Sequence, residues 1–149
     1  MESQRNVMVL CSNNSCRSQM CAGYLSQMLP SSFGVFSAGV KGKKEIKPEA
    51  VKVMAEDKVD ISSATVNHVS EFDPNNFEVV VRCCGCDLEV GGNAGWNERP
   101  TYRDWNVDGS VTRAGSSLED FQSLRDEIKK KCQSLADELL LSTFSVKSC

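Results

Sequence analysis

Short apolar runs and helical periods alternate along this chain. Residues 6–10 (NVMVL) form an apolar run that ends at a polar loop, the pattern of a buried strand. Helical spacing follows, with Met20, Tyr24, Leu25, Met28 and Leu29 on one stripe that stops at Pro30. A second strand is expected at 33–38, closed by Gly39. A second helix should start near Pro48 and carry Val51, Met54 and Ala55 inward. The β-branched run 77–81 (FEVVV) predicts a third strand. From Leu118 the apolar positions 118, 121, 124, 128, 132, 135 and 139 keep a helical period and predict a long last helix. Residues 85–95 and 106–117 read as loops. No repeat or linker divides the chain, so residues 1–149 are expected to form one domain.

This order of elements describes an α/β sandwich around a parallel sheet. Ligands of such folds sit beyond the carboxyl ends of the strands. Cysteines follow two of the strands directly: Cys11, Cys16 and Cys21 after the first, and Cys83, Cys84 and Cys86 after the third. Both clusters are therefore expected at one edge of the sheet.

Composition narrows the chemistry. A net charge of -3 argues against bulk electrostatic binding to nucleic acid or to an anionic membrane. An anionic substrate must then be attracted by a local site. The N-terminus lacks a signal pattern, no apolar run approaches a membrane span, and Cys149 is not a prenylation signal, so the expected location is the cytosol. There the eight cysteines are expected to stay reduced and to serve redox, catalytic or metal chemistry.

The first candidate site is Cys11-Ser12-Asn13-Asn14-Ser15-Cys16-Arg17-Ser18, a Cys and an Arg with five residues between them. A loop of this length can aim successive N–H groups at a tetrahedral oxyanion, and the helix start adds positive potential. Arg17 can hold two oxygens through its planar fork while Cys11 faces the central atom in line for displacement. The same donors are expected to lower the Cys11 pKa from ~8.5 and keep it mostly ionised at neutral pH. Ser18 can donate to the thiolate, and Asn14 can take a left-handed backbone and lock the loop. Cys16 and Cys21 fall in the helical register, where packing is their expected role, although Cys16 also lies within the oxyanion loop.

The second candidate is Arg82-Cys83-Cys84-Gly85-Cys86. Cys84 and Cys86 can form a strained, easily reduced disulfide across Gly85. Inert core cysteines and a metal site are the other readings. A metal would want a second ligand pair, and the one histidine, His68, reads as a surface or satisfied residue.

These motifs resemble the low-molecular-weight phosphatase fold family, and in particular its arsenate reductase branch. The resemblance rests on VMVLCSNNSCRSQM, Phe36-Ser37-Ala38-Gly39, Asp60-Ile61-Ser62, Cys84-Gly85, and Phe121 with Leu124-Arg125. It implies a three-layer sandwich with a central parallel four-stranded sheet. It further implies Cys11 as nucleophile, Arg17 as oxyanion clamp, Cys84 as resolving thiol and Cys86 as the third thiol. The implied substrate is arsenate and the implied reductant thioredoxin, or glutaredoxin with glutathione. No cofactor, metal, nucleic acid or membrane is implied, and the expected state is a monomer. The chain departs from the family in two places. The family's general acid is an Asp before a Pro, whereas residues 104–110 contain none, leaving Asp108 as candidate and Asp104 as its rival. Potassium-binding members carry a Glu where this chain has Ala22, so no potassium site is expected.

Two other functions fit the same motifs. One is a phosphatase acting on phosphotyrosine or another phosphorylated side chain, with Cys84 and Cys86 as a redox guard. The other is a redox-sensing or oxyanion-binding module without turnover. The basic run 41–47 is expected to be a solvated loop, with anion or reductase steering as its alternative. Trp96 either covers the site or packs on the domain.

Overall fold

The computed structural model describes residues 5–83, 95–96, 101–107 and 116–148, with side chains up to 141 in the last stretch. Four parallel strands form one sheet: β1 (Arg5–Cys11), β2 (Phe33–Gly39), β3 (Val79–Arg82) and β4 (Thr101–Asp104), in the spatial order β2-β1-β3-β4. Three α-helices accompany them: α1 (Arg17–Met28), α2 (Pro48–Glu56) and α3 (Leu118–Ser148). Two 3-10 turns, Val69–Glu71 and Pro74–Asn76, precede β3.

β1 lies between β2 and β3, pairing Val7 with Val35 on one side and Val79 on the other. A parallel strand covered on both faces reads as a continuous apolar run, which is why residues 7–11 are all buried. Its Val7 and Val9 join Val79 and Val81 in a core that includes Met20, Tyr24 and Leu25 of α1, Ala50, Val53 and Met54 of α2, and Phe121, Leu124, Ile128 and Cys132 of α3. Met8, Leu10 and Val80 join a second core with Val69, Phe77 and Trp96. The three layers are thus the helices, the sheet and the segment carrying the 3-10 turns.

Two expectations need correction. α2 buries Ala50, Val53 and Met54, while Val51 is half-buried and Ala55 exposed. The face toward α3, where Arg125 Nη1 donates to the Val53 carbonyl at 2.9 Å, is rotated from the expected stripe. The third strand starts at Val79 rather than Phe77, because the Phe77 N–H closes the 3-10 turn onto the Pro74 carbonyl. Phe77 then packs against Trp96, with ring centroids 5.3 Å apart, so Trp96 belongs to the domain's packing. β4 is a short edge strand of half-exposed polar residues, TYRD, the kind of edge that carries charges. No helix among the described residues is long and apolar enough to cross a membrane.

Candidate active site

Cys11 ends β1, and the chain turns through residues 12–16 before α1 begins. The carbonyls of this turn are held by a neighbouring segment. Val40 donates to Cys11 O at 2.8 Å, Lys41 to Ser12 O at 2.9 Å, Lys44 to Asn13 O at 3.0 Å and Lys47 to Ser15 O at 2.9 Å. With its carbonyls occupied, the turn can aim its N–H groups inward, and those of Ser12 and Ser18 favour the ionised form of Cys11. The approach of the two segments requires glycine at position 39: a Cβ there would sit 2.0 Å from Gly42 O and 2.9 Å from Asn13 C.

Asn14 locks the turn. It is fully buried with φ 55°, in the left-handed region. Its Nδ2 donates to Ser18 Oγ at 2.9 Å, and its Oδ1 accepts from Gln19 Nε2 at 3.1 Å and from the Asn67 N–H at 2.8 Å. Both roles expected of Asn14 are present. α1 begins with no side-chain cap on its first N–H groups and no acidic residue in its first turn. The positive end of the helix therefore faces the turn uncompensated by a side chain. The resulting cavity, about 250 Å³, is lined by Cys11, Ser12, Asn13, Ser15, Cys16, Arg17, Lys44 and Lys47. It brings Cys11 and Arg17 together as expected, and none of its described lining residues is a carboxylate.

The ionisation of Cys11 differs from expectation. Burial pushes its thiol up, and this outweighs the pull of the Arg17 guanidinium and of the Ser12 and Ser18 amides; nearby Cys83 adds to the rise. In this arrangement the local donors do not offset the burial, and the Cys11 thiol is held above its ordinary range. Burial also pushes Cys16 up, to about 12, with the neighbouring Cys11 adding to it. That suits an unreactive thiol.

The edge of the sheet brings the second cluster beside the first, as far as it is described. Cys83 is fully buried, and its N–H donates to Leu10 O at 2.8 Å, one residue before Cys11. Val107 N–H donates to Cys83 O at 2.6 Å, and Arg17 Nη1 to Val107 O at 3.0 Å. Cys84, Cys86 and Asp108 lie outside the described residues. Asp104 ends β4 in an ion pair with Arg82 and does not line the cavity. His68 is satisfied: it caps a 3-10 turn, with Nδ1 accepting from Ser70 N at 3.1 Å.

The family profile described as "Low molecular weight phosphotyrosine protein phosphatase" matches residues 6–143. The chain belongs to this family. Within the phosphatase family it is 30% identical over 131 residues to the "Glutaredoxin arsenate reductase" of Synechocystis, covering 88% of this chain and 95% of that protein. It is 33% identical over 132 residues to the "Arsenate reductase" of Bacillus subtilis, covering 86% and 92%. A solved structure of "An arsenate reductase in the phosphate binding state" superposes with a TM-score of 0.78 at 29% identity, covering 91% of this chain and 98% of that one.

Sequence reasoning underrated one part of this family site. The basic run 41–47 is more than a solvated loop, because its backbone holds the turn after Cys11 and Lys44 and Lys47 line the cavity. The available signal was Gly39 just before the basic run and Gly42 within it, which reads as a close backbone approach.

Proposed function

We propose that this chain reduces arsenate to arsenite at Cys11. The observation that carries this reading is the joining of Cys11, Arg17 and a loop of N–H donors in one cavity, with a second cysteine cluster beginning beside it. Arsenate shares the shape and charge of phosphate, so the cavity alone serves either anion. Reduction additionally requires a thiol able to deliver electrons.

In this mechanism the Cys11 sulfur attacks arsenic and one oxygen leaves as water. The proton of the Cys11 thiol ends on that oxygen. A second thiol then attacks the Cys11 sulfur, forming a disulfide while arsenic takes two electrons and departs as arsenite. The sequence motif assigns this step to Cys84, and Cys86 then draws the disulfide onto Cys84–Cys86 and frees Cys11. The name of the Synechocystis relative supports a glutaredoxin-type reductant over thioredoxin. Asp108 is the acid that ester hydrolysis would require, were the chain a phosphatase.

A second reading places Cys83 in the role of Cys84. It is favoured by the bond from the Cys83 N–H to Leu10 O, which holds Cys83 at the end of the strand neighbouring that of Cys11. The test is single-turnover arsenite release, with disulfides trapped by alkylation, in the variants Cys83→Ser, Cys84→Ser and Cys86→Ser. Cys86→Ser should release one arsenite and accumulate Cys11–Cys84, or Cys11–Cys83 on the second reading. Brisk phosphate-ester hydrolysis with no arsenite release would replace reduction by the phosphatase function.

A further inference from the structure

Cys21, Cys83 and Cys132 share one buried core, and the reduction step leaves Cys21 and Cys132 unused. Cys21 on α1 and Cys132 on α3 are both fully buried and free, with their sulfurs 3.4 Å apart. Cys132 Sγ also points at Cys21 O, at 3.6 Å. Cys83 lies in the same buried core as Cys21 and Cys132, and both neighbours help hold the Cys21 thiol in its protonated form. Cys83 is close enough to Cys11 to push its ionisation upward. Cys83, at the end of β3, thus lies between the strand end that carries Cys11 and the core between the first and last helices that holds Cys21 and Cys132. A bonded sulfur pair is about 2 Å apart, so Cys21 and Cys132 need approach by only a little over ~1 Å.

We propose that Cys21 and Cys132 are an internal two-electron reserve, which takes over the disulfide left by arsenate reduction when no outside reductant arrives. The proposal rests on arsenate reduction at Cys11 in its second form above, with Cys83 as the resolving thiol. Arsenate supplies the oxidant: it accepts two electrons from the Cys11 and Cys83 thiols, releasing arsenite and water and leaving Cys11–Cys83. The Cys21 sulfur attacks Cys83, the Cys11–Cys83 bond breaks, and the Cys21 proton ends on the Cys11 sulfur. The Cys132 sulfur then attacks Cys21, the Cys83–Cys21 bond breaks, and the Cys132 proton ends on Cys83. The chain now holds Cys21–Cys132 with Cys11 and Cys83 reduced, ready for another arsenate.

Burial gives this route its character. A solvent-borne oxidant reaches neither Cys21 nor Cys132, so Cys83 is the described thiol through which oxidation can enter. Burial also holds the Cys21 thiol protonated, which makes exchange slow. An available reductant would outrun it, and the reserve would fill only when reductant is scarce.

The experiment mixes the reduced full-length chain with excess arsenate and no reductant, then unfolds it in N-ethylmaleimide for peptide mapping and arsenite counting. A Cys21–Cys132 linked peptide should accumulate in the native chain and be absent from Cys11→Ser. Cys132→Ala should release about one arsenite fewer per chain. Peptide mapping of the native chain tests the reserve even if that variant folds poorly. Release of arsenite with Cys21 and Cys132 both alkylated would overturn the reserve and leave reduction standing. An equal yield of the linked peptide in Cys11→Ser would overturn the route from the cavity. Absence of arsenite would overturn the reduction reading, and with it the reserve, which has no other oxidant.

Discussion

Arg17 Nη1 donates to the carbonyl of Val107 across 90 residues of sequence, at 3.0 Å. The same Val107 bonds through its N–H to Cys83 O, so the start of α1, the end of β3 and the segment after β4 form one hydrogen-bonded assembly. Asn106, with φ 48°, makes the left-handed turn that leads into Val107. The guanidinium is thus held at the cavity wall by the segment that runs on toward Asp108. That leaves the other donors of its fork for an anion.

This arrangement predicts the outcome of Arg17→Lys. An ammonium can reach the Val107 carbonyl or an oxyanion, but it cannot make two parallel bonds to the anion while also holding the carbonyl. Loss of a charge-assisted bond of about 2 kcal/mol corresponds to a roughly 30-fold fall in kcat/KM for arsenate. The rise in Tm that millimolar phosphate or arsenate should give the native chain should largely vanish. Kinetics and thermal shifts on the two proteins check both outcomes, and an unimpaired variant would remove Arg17 from the clamp.

Asn14 offers a sharper separation of effects. Asn14→Ala removes the bonds to Ser18, Gln19 and Asn67 and also strains the left-handed backbone, so stability should fall by about 2–4 kcal/mol. Asn14→Gly removes the same bonds without the backbone strain and should recover about 1 kcal/mol of that loss. Urea unfolding of both variants measures the difference. Equal stabilities would mean that φ at this position costs nothing.

The success and failure of sequence reading follow from the same physics. The turn from Cys11 to Ser18 was legible because an apolar run gives way to a helical stripe at a Cys and an Arg spaced for an oxyanion. The inward face of α3 was legible because its seven apolar positions stay in one register, six of them buried and Leu118 packed against them. β4 was hidden in the residue pattern, since an edge strand with four half-exposed or exposed residues has no apolar signal. α2 is short enough that Ala50 and Ala55 look alike in sequence, and contact with α3 decides between them. The ionisation of Cys11 was misjudged because its donors are local in sequence, whereas its burial is assembled from distant segments.

That burial has a consequence at high pH. Folding raises the thiol pKa of Cys11 and Cys21, and that of Cys16 from 9.0 to about 12, with desolvation as the main cause. A raised pKa means that the unfolded chain gives up its proton first. The associated stability is complete below the unfolded value and is lost as pH rises toward the folded one. Between about pH 9 and 12 Cys16 should cost roughly 1.4 kcal/mol per pH unit, and Cys11 and Cys21 act in the same direction. Denaturant unfolding at several alkaline pH values should show the fall, and Cys16→Ala should make it shallower. A slope unchanged by Cys16→Ala would contradict the burial of this thiol.

Lys44 and Lys47 connect the chain's overall charge to its site. The protein carries a net charge of -3, which repels an anionic substrate at long range, while these two cations line the cavity around Cys11. Lys47 is half-buried and Lys44 exposed, so they act through a field that salt can screen. At 0.1 M ionic strength the screening length is about 10 Å, comparable with the dimensions of the site. Replacing both with Gln keeps the backbone N–H groups that hold Asn13 O and Ser15 O and removes only the charge. The double variant should therefore keep its fold and lose about 3–10-fold in kcat/KM for arsenate at low salt. The gap should narrow as salt rises, because screening removes from the native protein what the substitution removes from the variant. Measuring kcat/KM for both proteins over a salt series tests this directly. A gap that persists at high salt would mean that the lysines bind the anion by direct contact, and no gap at low salt would mean that the net negative charge of the chain has little influence on substrate capture.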